Sequence, residues 1–180
     1  MGRIAKALND AREPYMVIGG QAVNHHGRVR VTKDIDFTMA VAPWHWQRVI
    51  GVLNPVELEP MVDKPNEWVM KTHVLPLQTK ASSLRVDISF TDSPYETQAI
   101  ARGEDVMVSG VPVRFCSVED LLIHKLIAGR MQDLIDVRTV LLKNPDADLD
   151  DVRLWLGRFE EVLETPLLER LKQALRDAGR

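Results

Sequence analysis

The sequence has 180 residues, of which 45% are hydrophobic and 27% are charged, as is typical of one globular domain or of one domain with a small appendage. The formal net charge of -3 excludes nonspecific binding of nucleic acid through bulk positive charge, so any such contact would need a local basic patch. The single cysteine, Cys116, excludes an internal disulfide and a multi-cysteine zinc site. Because the sequence shows no signal-peptide pattern and no apolar run of about 18 residues, we expect a cytoplasmic protein.

The first elements predict a helix, a strand and a glycine turn. Residues 2–12 carry apolar side chains at helical spacing, and residues 16–18 form a short apolar run typical of a buried strand. Gly19 and Gly20 then allow a tight turn before a short helix over residues 21–26. The free N–H groups of a helix that follows glycines can bind an anion, although a simple turn explains such a pair equally well.

Basic residues follow this short helix and lead into a strand. Arg28, Arg30 and Lys33 are consistent with a solvated loop and, equally, with a segment that faces phosphate.

Asp34 and Asp36 are the sharpest chemical signal of the sequence. They lie two residues apart at the start of a predicted strand over residues 35–41, so both carboxylates project from one face while Ile35 and Phe37 point toward a core. Two carboxylates held side by side repel each other, and such a pair typically binds a cation or shares a proton.

The middle of the chain predicts a helix over residues 43–53, strands over 67–78 and 84–90, and a turn over Lys80–Ser83 between them. Asp87 lies on the polar face of the second strand, beside Arg85. It is either a solvent-facing acid paired with Arg85 or a third carboxylate next to Asp34 and Asp36, as a pair of divalent ions would require.

The second half predicts a helix that Ser93 caps, a hairpin with a Ser109-Gly110 turn, and a long helical stretch that begins after Ser117. On one unbroken helix, Lys125 and Asp136 lie about 20° apart around the axis, with Asp133 about 80° away. A break at Gly129 would instead let these groups converge from two segments. A surface charge ladder and a functional cluster explain the stretch equally well.

Two further helices, over residues 148–160 and 165–178, complete the chain, and Thr165-Pro166 is the predicted cap of the last one. We expect an α/β core over residues 1–103, with the hairpin and helical part over residues 104–180 packed on it as one unit.

These motifs together resemble the DNA polymerase β-like nucleotidyltransferase superfamily. An apolar residue, Gly19-Gly20, a gap of thirteen residues and Asp34-Ile35-Asp36 precede Asp87 on a later strand. The extended stretch GGQAVNHHGRVRVTKDID and the downstream HKLIAGRMQDLID are similar to the AbiEii-type branch, known from abortive-infection and toxin–antitoxin systems. The resemblance spans residues 15–143 and implies an α+β fold, in which a mixed-sheet palm flanked by helices carries a helical C-terminal part.

The resemblance also implies roles for individual residues. Asp34, Asp36 and Asp87 would be the catalytic and metal-binding carboxylates for Mg²⁺, with Mn²⁺ as an alternative. Gly19, Gly20, Gln21, Lys125 and Asp133 would form the nucleotide and phosphate site. Arg30 and Lys33 join that site from their position in the chain rather than from a family motif. Many superfamily members have Ser directly after the first glycine or glycine pair, where this chain has Gly20 and Gln21.

The implied activity is transfer of a nucleoside monophosphate from an NTP to an acceptor hydroxyl, with release of pyrophosphate. The acceptor would be RNA or tRNA, a protein or a small molecule, and a toxin–antitoxin or phage-defence partner fits the AbiEii-type branch. One alternative is a binding protein, antitoxin-like or regulatory, that keeps the fold without turnover. Another is a structural Ca²⁺ site, which a strand with alternating carboxylates matches less well than a flexible loop would.

Overall fold

The computed structural model describes residues 1–80 and 84–180. The chain forms two compact units, the first from Met1–Gln21 with Val31–Cys116 and the second from Ala22–Arg30 with Ser117–Arg180. The predicted division near residue 103 and the packing of its two parts as one unit stay predictions. None of the helices within the described ranges has both the length and the apolar character that a membrane span requires.

The first unit contains a mixed sheet of seven strands. In chain order the strands are β1 (Tyr15–Ile18), β2 (Asp34–Met39), β3 (Leu58–Pro60), β4 (Val74–Thr79), β5 (Arg85–Phe90), β6 (Glu104–Val108) and β7 (Val111–Phe115). Their order across the sheet is β3-β4-β5-β2-β1-β7-β6, so β2 lies at the centre. β2 runs parallel to β5 and antiparallel to β1, and β1 runs parallel to β7.

Each α-helix of the described residues belongs to one of the two units, except α2, which begins in the first unit and ends in the second. They are α1 (Gly2–Asp10), α2 (Gly19–His26), α3 (Trp46–Leu53), α4 (Pro65–Thr72), α5 (Pro94–Arg102), α6 (Val118–Ala128), α7 (Met131–Lys143), α8 (Leu149–Leu163) and α9 (Leu167–Asp177). Two short 3₁₀ turns, Pro43–His45 and Asn54–Val56, flank α3. In the first unit α1 packs on β7, α4 on β4 and α5 on β2, whereas α6 to α9 pack on one another in the second unit.

Most predicted elements are confirmed. The 35–41 strand, the 84–90 strand and the hairpin appear as β2, β5 and β6–β7, and Ser93 and Ser117 each cap a helix by accepting a backbone N–H bond. Gly129, at φ +60°, separates α6 from α7, so the break is the correct alternative to one long helix. The predicted turn over Lys80–Ser83 lies, after Lys80, outside the described residues.

The strand predicted over residues 67–78 is wrong in its first half, because Pro65–Thr72 form α4 and β4 begins only at Val74. Proline is well suited to the first helical turn, where its missing N–H leaves no bond unmade. The Trp68-Val69-Met70 cluster resembles a strand, but only Val69 is buried. The predicted Thr165 cap is also wrong: the Thr165 hydroxyl donates to the Leu163 carbonyl, and Pro166 stands at the N-cap of α9.

Candidate active site

The site in the first unit begins with the alternation of β2. Ile35 and Phe37 are buried in the core, whereas Asp34 and Asp36 on the opposite face are partly exposed. The β-branched and aromatic residues of one face anchor the strand at the centre of the sheet. The two carboxylates are therefore held on a rigid element, as their spacing predicted.

The parallel pairing of β2 with β5 brings the third carboxylate to the other two. Asp36 lies directly opposite Asp87, and Asp34 lies opposite Arg85. Asp34, Asp36 and Asp87 each offer a carboxylate oxygen within 4.8 Å of the others. The three acids that the sequence placed on two separate strands thus form one cluster.

The donor set of this cluster fits a divalent ion. Mg²⁺ and Mn²⁺ prefer hard oxygen ligands, and Mg²⁺ is commonly held through one or two carboxylates together with substrate phosphates. Asp34, Asp36 and Asp87 supply such oxygens from partly exposed positions, where solvent or a phosphate can complete the coordination.

Arg85 contacts the same cluster. Its Nη2 lies 2.9 Å from the Asp87 Oδ2, and its Nε donates to both carboxylate oxygens at 3.0 and 3.1 Å. These hydrogen bonds and the charge of Asp87 raise the pKa of the Arg85 guanidinium further above its ordinary value. The sequence left two alternatives open for Asp87, and the structure is compatible with both. Asp87 pairs with Arg85 and also lies beside Asp34 and Asp36.

Gly19 lies directly against the cluster. It has φ +64°, and a Cβ built on it would overlap the Asp36 carboxylate. Position 19 therefore requires glycine for two reasons: the backbone is left-handed, and the Asp36 carboxylate lies where a Cβ would be. Gly20 follows in α2 and is buried.

Two further residues of the predicted phosphate site belong to the first unit. The Gln21 side-chain amide donates to the Thr32 hydroxyl at 2.7 Å, and Lys33 is exposed beside the start of β2. The role of both toward phosphate stays a prediction.

The remaining predicted phosphate residues lie in the second unit, in a buried ion network. The Lys125 Nζ donates to the Asp133 Oδ1 at 2.7 Å and to the Asp136 Oδ2 at 2.9 Å, and the Lys125 side chain is only 10% exposed. Arg30 binds Asp136 with two hydrogen bonds, Nε to Oδ1 at 3.0 Å and Nη2 to Oδ2 at 2.9 Å. The break at Gly129 lets Lys125 of α6 face both acids of α7.

This network favours the charged form of the Asp136 carboxylate. Burial by itself would raise the pKa of the Asp136 carboxyl, but hydrogen bonds from Arg30, Lys125 and Gln132 outweigh it and leave the pKa below its ordinary value. Asp133 also accepts a hydrogen bond from the Arg130 backbone N–H at the start of α7. Each acid thus has several donors, which is the arrangement that makes buried charge tolerable.

The predicted site residues therefore form two groups, each inside one unit. Asp34, Asp36, Asp87 and Gly19 come together in the first, and Arg30, Lys125 and Asp133 in the second. Sequence reasoning gave Arg85 no role beyond pairing with Asp87. Arg85 lies two residues before Asp87 in a strand, and such neighbours share one face. This spacing could have predicted that Arg85 lies beside the carboxylate cluster.

A sequence profile of the family described as "Nucleotidyltransferase of unknown function (DUF6036)" matches residues 3–156. No protein with a curated description matches the sequence.

Solved structures share the fold at low sequence identity. The crystal structure of ANT(2″)-Ia in complex with adenylyl-2″-tobramycin is 14% identical, with a TM-score of 0.61 over 89% of this chain and 95% of that one. An antigenic nucleotidyltransferase-like protein from Paracoccidioides brasiliensis is 16% identical, with a TM-score of 0.55 over 96% and 88%. The lincosamide antibiotic adenylyltransferase LnuA, lincomycin-bound, is 17% identical, with a TM-score of 0.51 over 74% and 89%.

The α+β architecture with its mixed seven-strand sheet is thus a nucleotidyltransferase fold. Because the profile covers most of the sequence, the chain belongs to the DUF6036 family of nucleotidyltransferases.

Proposed function

We propose that this protein transfers a nucleoside monophosphate from an NTP to an acceptor hydroxyl and releases pyrophosphate. The observation that carries the proposal is the cluster of Asp34, Asp36 and Asp87, whose carboxylate oxygens lie within 4.8 Å of one another on two adjacent strands. Family membership and the shared fold support it.

Asp34 and Asp36 would hold two Mg²⁺ or Mn²⁺ ions, and Asp87 would share one of them. When bound, such ions polarise the α-phosphate and lower the pKa of the acceptor hydroxyl. Asp87 would accept the acceptor proton as the new phosphorus–oxygen bond forms and the bond to the bridging oxygen of pyrophosphate breaks. The backbone N–H groups of Gly19, Gly20 and Gln21 would donate to phosphate oxygens at the start of α2.

Arg30, Lys33, Lys125 and Asp133 would contact the phosphates, and three of these four residues also have partners within the second unit. Arg30 and Lys125 already bind Asp136, and Lys125 also binds Asp133. We infer that Arg30, Lys125 and Asp133 act first by holding α6 and α7 in place. Any contact of these residues with the triphosphate would add to this structural role. Lys33, which is exposed, is the more accessible cation.

The acceptor would be a hydroxyl compound of one of three classes. The ANT(2″)-Ia complex with adenylyl-2″-tobramycin and the lincomycin-bound LnuA make a small antibiotic-like molecule the first class to test. RNA, tRNA and protein acceptors follow from the AbiEii-type motifs, as does a role in a toxin–antitoxin or phage-defence system with a partner protein.

The test is a transfer screen with each α-³²P-labelled NTP, Mg²⁺ or Mn²⁺, and panels of aminoglycosides, lincosamides, tRNA and cell protein. We expect one acceptor class to become labelled by the wild-type protein and not by Asp34→Asn. Asp105→Asn is the matched control, because Asp105 is a strand acid that pairs with Arg114 in the same sheet. Absence of label in every panel, or equal labelling by Asp34→Asn, would contradict the proposal.

A binding protein without turnover is the second candidate. The observation that favours it is the pairing of Asp87 with Arg85, which already neutralises one of the three acids. This candidate predicts that a partner protein is captured equally well by wild type and Asp34→Asn, with no transfer by either.

A further inference from the structure

The Arg85 guanidinium binds Asp87, one of the carboxylates that a divalent ion would need. Three donor–acceptor contacts, none longer than 3.1 Å, join its guanidinium to both oxygens of Asp87. An ion bound between Asp36 and Asp87 would require lone pairs of those same oxygens. The guanidinium and the ion therefore compete for Asp87.

The register of the sheet places Arg85 beside all three acids. It lies opposite Asp34 and two residues before Asp87, on the face that Asp36 shares. Its positive charge thus faces the whole cluster and offsets part of the repulsion among carboxylates whose oxygens lie within 4.8 Å. Without a metal ion, this guanidinium performs part of the neutralisation that the ion would provide.

The Arg85 side chain is also exposed enough to move from Asp87 into solvent. Its side chain is 50% exposed, whereas that of Asp87 is 16% exposed. Because water screens the attraction between exposed charges and the long arginine side chain loses conformational freedom in the pair, an exposed Arg–Asp pair of this kind is only weakly stabilising. A divalent ion that contacts several carboxylates at once can therefore displace it.

We propose that Arg85 is a displaceable counter-cation of the carboxylate cluster: it holds Asp87 in the metal-free protein and sets the concentration at which a divalent ion binds. The inference rests on the proposed metal site of the nucleotidyltransferase, but its test does not depend on turnover. Arg85 is a positioning residue in this account, since it acts on the ion through Asp87.

The first measurement is Mn²⁺ binding by isothermal titration calorimetry to the full chain. We expect Arg85→Gln to bind Mn²⁺ at least about fivefold more tightly than wild type, because removal of a nearby positive charge lowers the repulsion on the ion. Arg85→Lys, which keeps the charge without the bidentate fork, should lie close to wild type. Arg114→Gln is the matched control, since Arg114 forms an Arg–Asp pair with Asp105 elsewhere in the sheet, and it should not change Mn²⁺ binding.

The second measurement is thermal unfolding in EDTA and in Mn²⁺. In EDTA, Arg85→Gln should unfold at a lower temperature than wild type, because the three acids lose their counter-cation. Saturating Mn²⁺ should raise the midpoint of Arg85→Gln by more than that of wild type, since ligand stabilisation grows with affinity. Unequal midpoints in EDTA that Mn²⁺ brings together would thus support the proposal.

The third measurement follows the Arg85 Nε–H resonance by ¹⁵N NMR as Mg²⁺ is added. We expect its chemical shift to move toward that of a solvated arginine as the ion displaces the guanidinium. Unchanged or weaker Mn²⁺ binding by Arg85→Gln, or a resonance that Mg²⁺ leaves in place, would overturn the proposal. Failure of the transfer screen alongside tighter Mn²⁺ binding by Arg85→Gln would instead contradict only the proposed activity.

Discussion

The carboxylate cluster of β2 and β5 and the ion network of α6 and α7 both hold closely spaced aspartates, but their charges are balanced differently. In the network, Asp133 and Asp136 meet two cations, Lys125 and Arg30. In the cluster, Asp34, Asp36 and Asp87 share one face with the Arg85 guanidinium. The network is also more buried, with the Asp136 side chain 2% exposed.

This difference is what we expect between a structural arrangement and the proposed binding site. Buried charges are tolerated when each has a partner and hydrogen bonds to its remaining atoms, as in the network. Partly exposed acids that repel one another gain from an ion supplied by solvent or substrate. We therefore expect ion binding at the partly exposed cluster, where solvent or a phosphate can reach the acids, and not at the buried network.

The largest expected effect is on transfer when the cluster loses one acid. Asp36→Asn should lower the rate of nucleotidyl transfer by about 10³-fold or more, because metal catalysis contributes several kcal/mol to transition-state stabilisation. Chemical denaturation should show stability equal to or above wild type, since the change relieves repulsion among the acids. A variant that unfolds more easily than wild type would contradict the assignment of these acids to binding.

The network should respond in the opposite way. Lys125→Met should lower the free energy of unfolding by about 3–5 kcal/mol, because it leaves two buried carboxylates with fewer donors. Lys64→Met is the control, since Lys64 pairs with Glu67 on the exposed surface of α4 and its loss should change stability by no more than about 0.5 kcal/mol. Urea denaturation of both variants gives the comparison, and equal stability of the two would show that the network is not structural.

Gly19 tests the close approach to the cluster. Gly19→Ala should lower stability by about 1–2 kcal/mol from the left-handed backbone alone, and the new Cβ should also push the Asp36 carboxylate aside and weaken Mn²⁺ binding. Gly110→Ala is the matched control, because Gly110 has φ +81° with open space where the Cβ would lie. It should lose similar stability while Mn²⁺ binding is retained; equal Mn²⁺ affinity in both variants would argue against the contact.

The smallest expected effect is the pH dependence that Asp136 contributes. Because its folded-state pKa lies below the ordinary carboxyl value of about 3.9, its stabilising contribution is present above that pH and is lost as the pH falls through the folded-state value. The difference in unfolding free energy between wild type and Asp136→Asn should therefore be constant from about pH 7 to 5. Below about pH 4 it should shrink, by no more than about 1.4 kcal/mol per pH unit for one group. A difference that stays constant to pH 2 would contradict the lowered pKa.

Much of the fold could be predicted because local rules and tertiary packing agree. The alternation in β2 and β5, the hairpin turn at Ser109-Gly110, and the caps at Ser93 and Ser117 each depend on neighbours within a few residues. The error at residues 67–72 has the opposite cause. Trp68, Val69 and Met70 favour a strand by residue type, but Pro65 and the left-handed His73 bound a helix there.

Residue types and local spacing were sufficient to predict the chemistry of the candidate site: the two glycines, the shared face of Asp34 and Asp36, and the position of Asp87 on the polar side of its strand. The helix begins at Gly19 rather than after a Gly19-Gly20 turn. The predictions follow from the period of two in a strand and from the freedom of glycine. Which charges meet depends instead on contacts between distant parts of the chain. The parallel register of β2 and β5 sets Asp36 opposite Asp87 and Arg85 beside the acids, and the break at Gly129 turns Lys125 toward Asp133 and Asp136. Electrostatic pairing acts over a few ångströms between residues far apart in the chain, and a sequence pattern does not contain those distances.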